Sequence, residues 1–136
     1  MKQLILLFLT LSLNIFLNGQ TKADKQIVIQ KAVDFEALQP YYSNVEFEGK
    51  KQMFIVDNGV IPNCLKLLKY GNEIVFMSKE DMFFKNIRNH LDFSVFTIDD
   101  VVAEVKFRYG IKGPHIHLKF EKDNGVWNIT ESELNN

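Results

Sequence analysis

The chain has 136 residues, 46% of them hydrophobic and 24% charged, enough for one domain with a real core and too little for two. Sixteen Lys and Arg against 17 Asp and Glu leave a formal charge of −1. There is no polybasic footprint, so binding to nucleic acid or to anionic lipid through bulk charge is not expected.

Met1 and Lys2 form a short positive end, and eleven of the fourteen residues from Leu4 to Leu17 are apolar before Asn18 and Gly19 break the run. A membrane-spanning helix needs roughly 20 apolar residues, so the length and flanks fit a secretory signal better than a permanent anchor. Residues 1–19 are accordingly expected to be a signal peptide and 20–136 a single domain, with Gly19 and Ala23 each offering a small residue at a cut. Export would place the domain in the periplasm or outside the cell, with no stable membrane anchor. Cys64 is the lone cysteine, which leaves no intramolecular disulfide and no lipid-bearing cysteine at the processing site.

Residues 24–38 place Val28, Ala32, Phe35 and Leu38 at helical spacing, with Asp24 as N-cap and Gln39-Pro40 as the stop. Ile27, Val28 and Ile29 are consecutive β-branched residues, so the start of this segment also reads as a strand. Residues 45–48 and 52–57 form two β-rich runs at hairpin spacing, followed by the turn Asp57-Asn58-Gly59. A short helix is expected next, with Pro62 in its first turn, Ile61, Leu65 and Leu68 on its apolar side and Gly71-Asn72 at its exit. Residues 73–77 read as a buried strand, and Ser78 with Asp81 reads as the capped start of a helix carrying Met82, Phe83, Phe84 and Ile87.

Turn signals at Asp99-Asp100, 110–113 and 122–125 divide residues 91–132 into four strands. With a four-residue loop at 110–113, Phe107 faces Ile116, Val105 faces Leu118 and Ala103 faces Phe120, all apolar. The other face pairs Arg108 with His115, Lys106 with His117 and Glu104 with Lys119. Carried onward, the same spacing pairs Phe120 with Trp127, His117 with Thr130 and His115 with Ser132. A two-residue turn at Asp99-Asp100 pairs Phe96 with Ala103 but turns Leu91, Phe93 and Val95 to the polar face. Either a bulge within 94–97 or a sheet covered on both faces resolves that conflict. The fold class is α+β: an antiparallel meander of about four C-terminal strands with short helices on one face.

The closing run Lys-Phe-Glu-Lys-Asp-Asn-Gly-Val-Trp at 119–127, with Asn128-Ile129-Thr130 after it, resembles the last hairpin of nuclear-transport-factor-2-like and cystatin-like domains. It covers about a quarter of the chain after residue 19. The front departs from that pattern, because those domains open with a longer helical section. The resemblance implies a cone-shaped ligand pocket. The order of an export signal, Phe-Ile-Val-Asp-Asn-Gly at 54–59, Ser-Lys-Glu-Asp-Met-Phe-Phe at 78–84 and Val-Lys-Phe-Arg-Tyr at 105–109 resembles small exported bacterial proteins of unknown function.

His115 and His117 point to one side of a strand about 7 Å apart, a spacing at which two imidazoles can share a Zn²⁺ if a third ligand joins them. The same pair also reads as titrating residues on a polar sheet face. Asp92, Arg108, His115 and Ser132 form one transverse row if the first hairpin carries the bulge, which suits anion or ligand binding or a proton relay. Cys64 reads as a small core thiol or as a thiol near a helix start. Phe83, Phe84, Phe93 and Phe96 wall a pocket, form an exposed patch or fill the core. There is no Gly-x-Ser-x-Gly, no phosphate-binding glycine loop and no Cys-x-x-Cys. The expected function is that of an exported, non-catalytic domain binding a protein or small ligand, with Asp92, Arg108, His115 and His117 as the binding residues and no cofactor. The alternatives are a zinc-dependent hydrolase built on His115 and His117, and a nuclear-transport-factor-2-like ligand-binding domain.

Overall fold

Alternating apolar and polar residues dominate the second half of the chain, and in the computed structural model, which describes residues 22–44 and 46–136, they build most of one sheet. The expected signal segment, 1–19, lies outside the described residues. In chain order the elements are α1 (22–33), a 3₁₀ segment Glu36–Asn44, β1 Glu46–Phe47, β2 Lys50–Lys51, β3 Phe54–Val56, β4 Leu68–Lys69, β5 Asn72–Glu73, β6 Val75–Met77, α2 Lys79–Phe84, β7 Leu91–Ile98, β8 Val102–Tyr109, β9 His115–Asp123 and β10 Val126–Asn135. No helix among the described residues is long and apolar enough to cross a membrane.

The fold is α+β, but its six-stranded sheet is mixed rather than antiparallel throughout. The strand order is β10-β9-β8-β7-β3-β6, and β3 runs parallel to both of its neighbours. The expected hairpin between 45–48 and 52–57 does not form. Lys50–Lys51 folds back on Glu46–Phe47 instead, over a turn in which Glu48 and Gly49 both have positive φ. This frees Phe54, Ile55 and Val56 to enter the main sheet, where all three are buried. A short continuous apolar run is what a strand covered on both faces requires.

The helices lie on opposite sides, which corrects the expectation of a single helical face. From α1, Val28, Ile29, Ala32 and Val33 pack with Ile55, Leu91, Phe93, Val105, Leu118 and Trp127 in the main core. From α2, Met82 packs with Phe54, Val56 and Ile87 in a second, smaller core. Ile55 points to one core and its neighbours Phe54 and Val56 to the other, as strand alternation dictates. The outer side of β3 and β6 is thus roofed by α2.

Helix α1 ends earlier than its periodicity implies. Phe35 Nα donates to the Ala32 carbonyl, and Pro40 falls within the 3₁₀ segment rather than after an α-helix. Asp24 is no N-cap, because the helix already includes residue 22. The short helix expected around Pro62 is absent: 63–64 make a turn, and the chain beyond is extended. Two glutamines of α1 hold it there. Gln26 Oε1 accepts from Lys66 N at 3.2 Å, while Gln30 accepts from Leu68 N at 3.0 Å and donates to Leu68 O at 2.9 Å. One side chain thereby satisfies the donor and the acceptor of Leu68, as a neighbouring strand would.

Candidate functional site

The register of β8 and β9 matches the sequence expectation pair for pair: Phe107 with Ile116, Val105 with Leu118, Ala103 with Phe120, Arg108 with His115, Lys106 with His117 and Glu104 with Lys119. The inner residues are buried and the outer ones half-buried or exposed. The expected bulge in β7 lies between Phe93 and Val95. It lets Leu91 and Phe93 face the main core and still delivers Asp92 opposite Arg108 on the outer side. Asp99 closes the preceding loop, its Oδ1 accepting from Val101 N and Val102 N at 2.9 Å each, and these two donors hold its carboxyl below the usual range. That wider turn pairs Ile98, not Phe96, with Ala103.

The last hairpin differs from expectation. Asn124 and Gly125 alone form its turn, both with positive φ, so Trp127 pairs with Lys122 and Ile129 with Phe120. A second bulge follows at Thr130, after which Glu133 faces His117 and Asn135 faces His115. The transverse row is therefore Asp92, Arg108, His115 and Asn135, with Ser132 displaced from it to a position opposite Leu118.

These residues differ in what they have free. Asp92 is engaged on both oxygens, by Lys79 Nζ at 3.0 Å and by Asn58 Nδ2 at 3.1 Å. It ties the start of α2 and the 58–59 bend to β7. His117 Nε2 lies 3.4 Å from Glu104 Oε1 without making a hydrogen bond, although the atom is shielded from solvent. Lys106 Nζ approaches the same oxygen at 4.0 Å. The bulge and the small Ser94 leave an open hollow of about 210 Å³ lined by Ser94, Lys106, Phe107, His115, Ile116, His117 and Asn135. Sequence spacing set Lys106 opposite His117 and a bulge within 94–97 without marking Lys106 or Ser94 as site residues, and it missed Asn135, whose place depends on the Thr130 bulge. A larger open groove of about 560 Å³ runs beside it over Thr97, Glu104, Lys119, Glu121 and Glu131.

A zinc site on His115 and His117 gains no third ligand: among the described residues no group of three or more His, Cys, Asp or Glu side chains comes together to hold a metal. Cys64 is neither in a helix nor in the core but exposed in the 63–64 turn. The four phenylalanines part company. Phe93 is buried and stacked on Phe107 with 4.7 Å between ring centroids, Phe96 is partly buried, and Phe83 and Phe84 are exposed.

His90, just before β7, is buried with Nδ1 lacking a protein partner, and its carbonyl accepts from Gly110 N at 2.8 Å. Burial is the main force lowering its pKa; Arg108 and Lys79 add to it, and Asp92 opposes them. No protein-family model matches the chain, and neither does any curated protein or solved structure.

Proposed function

We propose that the chain is a small exported, non-catalytic domain that binds a partner protein or small ligand on the outer face of β7–β10. One observation carries the reading: the inner side of these strands is sealed by the main core, while the outer side keeps Arg108, Lys106, His115 and His117 on two adjacent strands, uncovered by either helix. A proton relay would need Asp92 available to a base, and both its oxygens are committed to Lys79 and Asn58. A pocket of the nuclear-transport-factor-2-like kind gains no support from the inner side, where Phe93, Phe120 and Trp127 are fully buried. Screening a library of small charged and neutral ligands by heteronuclear NMR tests the reading. Shifts confined to outer-face residues of β8 and β9 are expected, and shifts that cluster elsewhere on the protein would sink it.

Export has its own check. Cleavage after Gly19 keeps every described residue of α1, whereas cleavage after Ala23 removes the first two of them, so Gln20 is the expected N-terminus. Mass spectrometry of the protein recovered outside the cytoplasm should find it, and an intact Met1 on protein confined to the cytoplasm would contradict export.

A further inference from the structure

We infer that the outer face holds a phosphate-type oxyanion at the patch formed by Lys106, Arg108, His115 and His117, an inference that rests on the outer-face reading above. The register stacks Arg108 beside His115 and Lys106 beside His117. Two neighbouring rows thus gather four nitrogen-bearing side chains in an area of roughly 5 Å by 7 Å. A sheet has almost no net dipole, so charge at such a place must come from side chains.

Two of the four side chains, Arg108 and His115, form no ion pair with the described residues, whereas neighbouring cations do. Lys79 is paired with Asp92 at 3.0 Å, and Lys119 with Glu131 at 3.4 Å. Among the described residues, neither Arg108 nor His115 has a carboxylate within 4.0 Å. In the register Glu133 stands opposite His117, and Asp92, held by Lys79, opposite Arg108, while Glu104, from the next row, lies 3.4 Å from His117 Nε2 and 4.0 Å from Lys106 Nζ. It makes no hydrogen bond to that imidazole nitrogen, which is left shielded and unpaired. Beside these groups lies the hollow opened by the Ser94 bulge, with no Asp or Glu in its lining. A phosphate carries more negative charge and more acceptor oxygens than a carboxylate, so it better suits the two fixed cations of β8, each with an imidazole opposite it on β9.

Titration of the purified full chain with inorganic phosphate at constant ionic strength, followed by NMR, is the test. Saturable shifts at Arg108, His115 and His117 are expected, with acetate weaker by roughly tenfold. Glycerol phosphate in a parallel arm separates the two sources of the same chemistry: tighter binding than inorganic phosphate marks an ester as the ligand, and equal binding marks the free ion. Arg108→Gln and His117→Asn should each weaken phosphate by roughly tenfold, the loss of one charge-assisted hydrogen bond. Lys119→Ala, on the same face but outside the patch, should leave it unchanged. A response that does not saturate, or an equal loss in Lys119→Ala, overturns the assignment. Should phosphate fail while a neutral library member still moves outer-face resonances, the oxyanion falls and the binding face stands; if neither moves them, both fall.

Discussion

Asp24 joins the first described helix to the last hairpin. Its carboxylate accepts from Trp127 Nε1 at 3.1 Å and from Lys122 Nζ at 3.2 Å, and Lys122 lies over the indole at 5.8 Å from its centroid. Both charged side chains are mostly buried, at 14% and 19% exposure, so solvent screens the pair little. Removing one partner leaves a shielded indole donor and an unneutralised cation. Asp24→Ala should therefore cost about 2 kcal/mol in chemical denaturation. Trp127 is the chain's single tryptophan, so its emission should change in the same variant. A second prediction concerns acid. Because burial lowers the pKa of His90 below its ordinary 6.5, the unfolded chain takes up that proton first as pH falls. The contribution of neutral His90 is complete above the unfolded value and is lost as pH drops from there towards the folded value. Denaturation midpoints of the parent should fall between pH 7.5 and pH 5 by more than those of His90→Phe, and equal slopes would refute this role. Tyr109, pushed up to about 12 chiefly by burial, stays neutral throughout that range.

At the level of elements, α2 separates a packing residue from two that pack on little. Met82 is 2% exposed within the second core, whereas Phe83 and Phe84 are 81% and 75% exposed and rest edge-on against each other at 5.9 Å. Met82→Ala should lower stability by about 2–4 kcal/mol. The double change Phe83→Ser and Phe84→Ser should stay within about 0.5 kcal/mol in the same thermal melt. The start of this helix could be read from sequence because its determinant is local: Ser78 Oγ accepts from Asp81 N at 3.1 Å. The β8–β9 hairpin could be read for the same reason, since every pair is counted from one loop. The helix expected at Pro62 failed because its competitor is distant. The side chains of Gln26 and Gln30 supply strand-like partners to 66–68, and nothing within that segment announces them. The last hairpin differed first by turn length, since Asn124-Gly125 is a two-residue turn where a four-residue loop was expected, and then by the bulge at Thr130, which shifts the partners of His117 and His115 once more.

For the whole molecule, the sheet joins a locally paired half to a half assembled from afar. β7 to β10 follow one another through short turns, while β3 is inserted beside β7 through the single pair Ile55 with Leu91. Such non-local, parallel pairing closes long loops, which is why the hydrophobic pattern identified Phe54–Val56 as apolar strand but not its neighbours. The small hairpins β1–β2 and β4–β5 stand as separate two-stranded sheets. In native-state hydrogen exchange the amides of β8 and β9 should be the slowest, and those of the two small hairpins should open first. Uniform protection across all strands would contradict this division. Both faces of the molecule depend, finally, on the parity of one strand. Ser94 is an odd residue in an even count: it reverses the in-and-out phase of β7 once, midway, so that Phe93 and Phe96 belong to the same side. Without it, either Leu91 and Phe93 would exchange sides with Asp92, or everything after them would flip. The position thus behaves like a reading-frame correction written into the backbone, where the residue's presence matters more than its identity.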